Sequence, residues 1–199
     1  DEYAPDIKIA LTLVPRLLGV DTGEKRYMII MQNDKELRPT GGFMTNYATF
    51  KIKDALLTSD FSSKDMYSID NTLDAIDAYY DFPDAPEAYM KYLKVERWYA
   101  RDMNSDPDFV TSMDQLLIWY NKAGQINPYE IKPVDGIFAI DTYVIAKLLE
   151  ATGPVTVNGI TYTHENVVLE LEKIASLELR EQLNRKKVLG DLMEEMLIN

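Results

Sequence analysis

The segment from Gln32 to Phe43, QNDKELRPTGGF, concentrates anion-binding groups between two apolar runs of the chain. The guanidinium of Arg38 offers a bidentate fork for phosphate or carboxylate. A Thr40-Gly41-Gly42 turn leaves backbone N–H groups open, so it can form a concave anion nest. The segment therefore predicts a phosphate-binding loop. Two further polar residues of the loop are predicted ligand contacts: Asn33 and Glu36.

The same loop also has a purely structural interpretation. It lacks the lysine and the G-x-x-x-x-G-K-[ST] spacing of a P-loop, so nucleotide binding of that kind is not supported. In the structural interpretation Gly41 and Gly42 form a bulge, and Arg38 pairs with Glu36 or another acid. The sequence leaves both interpretations open.

A second polar segment, RDMNSDPDF, follows further along the chain. Asp102, Asn104 and Asp106 have the D-x-N-x-D spacing of a calcium loop, but Pro107 stands where that loop requires glycine. A calcium loop is therefore not expected. Helix capping is the structural interpretation of Asp106.

The adjacent pair Arg101-Asp102 suits magnesium-assisted phosphoryl transfer, with the carboxylate on the metal and the guanidinium on phosphate oxygens. We therefore predict Arg38, Arg101 and Asp102 as catalytic residues. Asp102 and Asp106 are the predicted Mg²⁺ ligands, and Asn104 is a predicted ligand-binding residue.

Composition excludes several other classes of function. The 199-residue chain has a formal net charge of -12 and its basic residues are dispersed, so neither nucleic acid nor an anionic membrane surface is an expected partner. The chain has no cysteine, which excludes thiol catalysis. It has one histidine, His164, so a His-rich metal site is not possible.

Strands and helices alternate along the chain. Arg26 to Gln32 is a continuous apolar run typical of a strand buried on both faces, and Phe43 to Lys53 alternates like a second strand. VDGIFAID predicts a strand, after which Asp141 caps a helix, and VTVNGITYT predicts a hairpin turning at Asn158-Gly159. The predicted fold class is α/β, with α+β as the alternative: a layered mixed β-sheet flanked by helices. We predict one domain with its core at about 24–163, an N-terminal helix at 5–19 and a C-terminal helical region at 164–199.

The pattern is weaker between the second strand and the later helices. Ala55 to Phe61 predicts a third strand, and Asp70 is the predicted cap of a short helix. Arg97 to Ala100 predicts a short strand that ends at the Arg-Asp pair. Pro107 is the predicted first residue of a helix that is capped by the preceding aspartate and ends at Gly124.

Four segments together resemble a known bacterial family. QNDKELRPTGGF, WYARDMNSDPDF, VDGIFAIDTYVIAKLLEATGPVTVNG and RKKVLGDLMEEML occur in the order and spacing of the family catalogued as domain of unknown function 4012. The resemblance runs from about Leu13 to the end of the chain. That family has no established activity, so this resemblance implies no function.

A more distant resemblance is to the LytR-CpsA-Psr proteins. VDGIFAIDTYVIAKLLEATGPVTV is similar to their consecutive strand, helix and hairpin, and an upstream strand in those proteins also ends in Arg-Asp. They are membrane-anchored, extracytoplasmic phosphotransferases that move glycopolymers from polyprenyl pyrophosphate carriers to the cell wall, using arginines and an aspartate-held magnesium. The resemblance implies that Arg38 and Arg101 bind pyrophosphate and that Asp102 lies near Mg²⁺. One departure is Asn33, which stands where that family's first loop carries an aspartate, so Asp34 or Glu36 must substitute to keep metal affinity.

These observations predict an extracytoplasmic domain of a bacterial envelope protein that binds or transfers a phosphate- or pyrophosphate-linked glycan. The alternative is a non-catalytic scaffold or binding module, in which Glu36 pairs with Arg38 and Arg101 pairs with Asp102. No apolar run approaches the length of a membrane span, so a membrane anchor is expected only outside these residues.

Overall fold

The computed structural model describes residues 4–20, 22–75, 83–177, 188 and 190–196. Within this part of the chain a five-stranded mixed sheet is the central element. Its strands are β1 (Lys25–Asn33), β2 (Phe43–Lys53), β3 (Leu56–Leu57), β4 (Ser62–Asp65) and β5 (Gly136–Ile140). A separate two-stranded hairpin consists of β6 (Val155–Val157) and β7 (Ile160–Tyr162).

Helices precede, interrupt and follow the strands. In the described residues the α-helices are α1 (Ala4–Leu17), α2 (Tyr67–Asp74), α3 (Phe109–Ile126), α4 (Thr142–Thr152) and α5 (Val167–Leu177). Residues 190–196 are also helical. Two short turns complete the description, a π-helical turn at Tyr89–Leu93 and a 3₁₀ turn at Ala100–Asp102. None of the described helices is long and apolar enough to cross a membrane.

Strand β1 lies at the centre of the layers. It pairs with β2 in antiparallel fashion and with β5 in parallel, while β3 and β4 both pair with the other edge of β2. Met28 and Ile30 of β1 belong to a core shared with α2 and α3, whereas Tyr27, Ile29 and Met31 belong to a second core shared with α4, α5 and the hairpin. Because successive side chains point to opposite faces, each face of the sheet carries its own helical layer. This confirms the predicted mixed sheet flanked by helices.

The strongest local predictions are confirmed. β2 has the predicted bounds, and β1 is one residue longer at each end than predicted. Asn158 and Gly159 have φ values of 51° and 80°, the left-handed pair that a two-residue hairpin turn requires. Of the predicted C-terminal helical region, residues 178–187, 189 and 197–199 lie outside the described residues.

The predictions between the second strand and α3 are wrong in two places. The segment predicted as a third strand divides. Asp54 and Ala55 form a left-handed turn, β3 covers only the two residues after it, and β4 begins after Phe61. The predicted strand at Arg97–Ala100 is reduced to an isolated bridge between Arg97 and Asp84. The Arg-Asp pair therefore belongs to a 3₁₀ turn and does not end a strand.

Two predicted helix caps are also wrong. Asp70 lies inside α2 with a side chain only 2% exposed, because its carboxylate has partners elsewhere in the fold. Asp106 does not cap α3. Its carboxylate accepts the N–H of Asp108, and Asp108 is the cap, accepting the Thr111 N–H at 2.8 Å. The helix therefore starts two residues later than predicted, and it ends at Ile126 instead of Gly124.

The predicted cap of α4 is confirmed and gives a first testable prediction. The Asp141 carboxylate accepts the Val144 N–H at 2.9 Å. We expect Asp141→Ala to lower the free energy of unfolding by about 1 kcal/mol, the usual effect of losing such a cap. Asp114→Ala is the control, because Asp114 is exposed within α3 and alanine suits a helix interior. Urea denaturation that ranks the two variants equally would contradict the capping role.

Candidate functional site

The two predicted polar segments meet at one edge of the sheet. The loop of residues 34–42 leaves the carboxyl end of β1, and the parallel strand β5 ends beside it, with Met31 opposite Ile140. The 3₁₀ turn at Ala100–Asp102 packs against β2, which begins at this edge. Ligands of open α/β sheets bind outside the carboxyl ends of the parallel strands. The predicted site residues are therefore in the usual place for a ligand site of this fold class.

Backbone contacts fix the shape of the loop. The Glu36 N–H donates to the Asn33 carbonyl at 3.1 Å, and the Phe43 N–H donates to the Glu36 carbonyl at 2.9 Å. Gly42 packs so closely on the preceding turn that a Cβ there would lie 2.6 Å from the Asn33 carbonyl carbon and 2.9 Å from the Asp34 nitrogen. The loop consequently needs glycine at this position.

Arg38 is engaged on nearly every side. Its Nη2 donates to Glu36 Oε1 at 3.0 Å and to Asp102 Oδ1 at 3.4 Å, and its Nη1 donates to the Leu37 carbonyl. The side chain is 9% exposed and lies over the Phe43 ring, 5.0 Å from its centroid. Its Nε is buried and has no partner among the described residues. Arg38 therefore has little capacity left for an external anion.

Asp102 connects the two predicted arginines. Its side chain is 4% exposed, with one oxygen on Arg38 and the other 3.7 Å from Arg101 Nε. Burial raises the pKa of the Asp102 carboxyl above its ordinary value, although Arg101 and Arg38 both act to lower it. The backbone carbonyl of Asp102 also accepts the Trp98 indole N–H at 3.1 Å. The turn that carries Asp102 is thus held from two directions.

Arg101 has a second acidic partner that the sequence did not indicate. Its Nη1 donates to Asp70 Oδ2 at 2.6 Å. The guanidinium lies 4.0 Å from the Tyr99 ring centroid and 4.6 Å from that of Tyr67. No described residue accepts a hydrogen bond from Nη2, and the side chain keeps 17% of its surface exposed. Within the described part of the chain, Arg101 is therefore the more exposed of the two predicted arginines and keeps an unpaired donor, whereas the unpaired Nε of Arg38 is buried.

Thr40 and Asn104 form a neighbouring polar cluster with Gln32. Thr40 Oγ1 accepts from Gln32 Nε2 at 2.6 Å and from Asn104 Nδ2 at 2.9 Å. Asn104 is fully buried and also donates to the Gly42 carbonyl at 2.8 Å, while its Oδ1 has no partner among the described residues. The two predicted segments are thereby joined by hydrogen bonds as well as by ion pairs.

An open groove of about 530 Å³ borders this cluster. Its walls combine the predicted loop, the end of β1, the strand β5 and the start of α4 and α3. The lining residues include Gln32, Thr40, Gly41, Phe109, Phe138 and Asp141. Among the predicted ligand contacts, Thr40 and Gly41 therefore face open space.

The predicted metal ligands lie in different surroundings. Asp102 is in the buried cluster, whereas Asp106 is exposed in the loop before α3 and uses its carboxylate to accept the Asp108 N–H. The described residues contain no group of three acidic or histidine side chains arranged to hold a metal ion. The two predicted ligands therefore do not share one site, and both oxygens of Asp102 face arginines.

Asp70 is the functional candidate that the sequence analysis missed. It lies at a position with the helical spacing of the buried residues Met66, Ile69 and Leu73. A carboxylate on the apolar stripe of a helix is costly unless a partner meets it. That position within the stripe was the available indication of a buried ion pair.

The fold and this cluster define a layered α/β domain whose buried arginine–carboxylate network lies at the carboxyl ends of its parallel strands. The chain belongs to the family described as "Protein of unknown function (DUF4012)", whose model matches residues 22–175. This confirms the family resemblance drawn from the motifs. No curated protein and no solved structure matches the chain.

Proposed function

We propose that this chain is an extracytoplasmic domain of a bacterial envelope protein that binds a phosphate- or pyrophosphate-linked glycan. The observation that supports it best is the state of Arg101, whose Nη1 is fixed by Asp70 while Nη2 has no described partner. A preorganised guanidinium with a remaining donor is well suited to a phosphate oxygen. The position at the carboxyl ends of β1 and β5 is consistent with this role.

The charges of the cluster set a condition on this function. Arg38 and Arg101 face three carboxylates, those of Glu36, Asp70 and Asp102. An anion arriving without a cation would meet this local excess of negative charge. Mg²⁺ held by Asp102 would neutralise charge on the phosphate oxygens. Arg101 would bind the phosphate, and Arg38 would keep Asp102 and the loop in position.

Glycan transfer is the finer version of the proposal. The substrate of this reaction is a glycan joined to a lipid through pyrophosphate. A hydroxyl oxygen of an acceptor attacks the phosphorus next to the glycan, and the bond from that phosphorus to the oxygen that bridges the two phosphorus atoms breaks. The released lipid phosphate takes up the hydroxyl proton. In this reaction Arg101 would stabilise the charge that develops on the phosphoryl oxygens. The resemblance to the LytR-CpsA-Psr proteins supports this version.

A second candidate function is a non-catalytic envelope scaffold or binding module. The specific observation in its favour is Arg38, which is ion-paired with both Glu36 and Asp102 and is 9% exposed. Removing one partner of such a buried ion pair destabilises a fold, so Arg38 can be needed for the structure without contacting a ligand. The two candidates therefore make different demands on the two arginines.

Thermal melting with pyrophosphate and Mg²⁺ tests the binding function. A ligand present at about 100 times its dissociation constant stabilises a protein by about 2.7 kcal/mol, which gives a clear rise in Tm. We expect this rise for the wild type and its loss in Arg101→Ala. The control is Arg97→Ala, which removes an arginine that pairs with Asp74 outside the cluster. This variant should show the same rise in Tm as the wild type. If the wild type shows no rise while Arg38→Ala and Arg101→Ala both melt early, the scaffold is the correct function.

A further inference from the structure

Asp70 uses both of its carboxylate oxygens on the turn that carries Arg101. Oδ1 accepts the Ala100 backbone N–H at 2.7 Å, and Oδ2 accepts Arg101 Nη1 at 2.6 Å. Because one oxygen binds the backbone and the other binds the side chain, the carboxylate sets both the position of the turn and the direction of the guanidinium.

The aromatic neighbours restrict Arg101 further. The ring centroids of Tyr99 and Tyr67 lie 4.0 Å and 4.6 Å from the guanidinium carbon. Tyr67 and Asp70 are one helical turn apart in α2, so a single helix supplies both an ion-pair partner and a ring. Among the described residues, Nη1 of Arg101 has a hydrogen-bond partner in Asp70, whereas Nη2 has none.

We propose that Asp70 is a positioning residue for the phosphate site, which holds the Arg101 guanidinium so that Nη2 is directed at a phosphate oxygen. The inference rests on the proposed binding function and deepens it. Asp70 is only 2% exposed and both of its carboxylate oxygens are engaged, so its effect on a ligand passes through Arg101. Buried supporting residues of this kind commonly set the precision of a site.

The charge of Asp70 makes this support sensitive to pH. Burial raises the pKa of Asp70 to about 6. The positive charge of Arg101 lowers this pKa, and the negative charge of Asp102 raises it. Above this pH Asp70 is a carboxylate that holds Arg101, and below it the protonated acid no longer forms the ion pair. Affinity for the phosphate should therefore fall as pH decreases through about 6.

The sign of the change in Asp70→Asn distinguishes positioning from simple electrostatics. Calorimetry with pyrophosphate and Mg²⁺ at neutral pH should show binding weakened about tenfold, the scale on which such supporting residues act. If Asp70 were only a nearby negative charge, its removal would strengthen anion binding. Equal or tighter binding by Asp70→Asn overturns the proposal. The difference in affinity between the wild type and the variant should also shrink as pH falls through about 6, because the titration of the probe is common to both proteins and cancels in that comparison.

A second measurement decides the matter even if pyrophosphate proves not to be a ligand. Phenylglyoxal modifies accessible arginines, and peptide mass spectrometry locates the product. Asp70→Asn should speed modification of Arg101 several-fold, whereas the matched control Asp74→Asn, a change in the same helix, should not. An unchanged rate at Arg101 overturns the positioning role. A faster rate together with no wild-type binding of pyrophosphate supports positioning and refutes only the proposed ligand.

Discussion

Replacing Asp102 by alanine is expected to lower the free energy of unfolding by about 3–5 kcal/mol, the range for a buried ion pair that loses one partner. The Asp102 side chain is 4% exposed and connects Arg38 with Arg101. Arg38 is also buried and, among the described residues, would keep only Glu36, a side chain 49% exposed, as its acidic partner. The positive charge of Arg38 would then be buried with too little negative charge beside it. Urea denaturation of both proteins measures the difference.

A double-mutant cycle separates the ion pair from the loss of packing. Arg38→Ala, Asp102→Ala and the double variant should give a coupling energy of about 1–3 kcal/mol, because the double variant leaves no unpaired charge between these positions. The control cycle uses Asp74 and Arg97, whose side chains are 44% and 29% exposed, and should give at most about 1 kcal/mol. Equal coupling in the two cycles would show that the cluster is as well hydrated as the surface.

The fold was predictable where local chemistry and burial agree. The apolar run of β1 and the Asn158-Gly159 turn each have one structural solution that satisfies both their backbone preference and their environment. The helix-cap predictions failed where a polar side chain had two possible partners. Asp106 was expected to cap a helix, but it binds the N–H of Asp108, and the helix starts later. The spacing of residues in the sequence cannot decide between these two partners, since either one satisfies the carboxylate of Asp106.

The candidate site also contains residues that the sequence predicted and a residue that it did not. Arg38 and Asp102 are 64 residues apart, and each was predicted from the chemistry of its own segment. The structure places them in one ion pair, which neither segment indicates by itself. Asp70 was missed because nothing near it in sequence indicates that Arg101, 31 residues away, would meet it. Long-range pairing of charges depends on how the helices pack on the sheet, which a local pattern does not contain.

The difference between the two arginines links stability to function. Arg38 forms ion pairs with two carboxylates and has a 9% exposed side chain, so its loss should chiefly affect the fold. Among the described residues Arg101 has no partner for Nη2, and its side chain is 17% exposed, so its loss should weaken binding in addition to leaving Asp70 without its ion-pair partner. A site in which one arginine stabilises the loop and the other contacts the ligand reconciles the two interpretations that the sequence left open. The loop that carries Arg38 must then keep its shape.

Gly42→Ala tests that requirement and should lower the free energy of unfolding by about 3 kcal/mol, as overpacking against rigid atoms does. The new Cβ would lie 2.6 Å from the Asn33 carbonyl carbon and 2.9 Å from the Asp34 nitrogen, and both atoms belong to the backbone. The β1–β2 loop would have to open, which displaces Arg38 from Asp102.

The matched control for this loop is Gly136→Ala at the start of β5. There the nearest atoms are 3.1 Å away and belong to the Tyr27 ring, so the overlap is smaller and the nearest contacts include no backbone atom. We therefore expect a loss of only about 1 kcal/mol for the control. Urea denaturation of the two variants provides the comparison. If Gly42→Ala proved no more harmful than Gly136→Ala, the loop would be able to change shape at little cost, and its geometry would not be what holds Arg38 against Asp102.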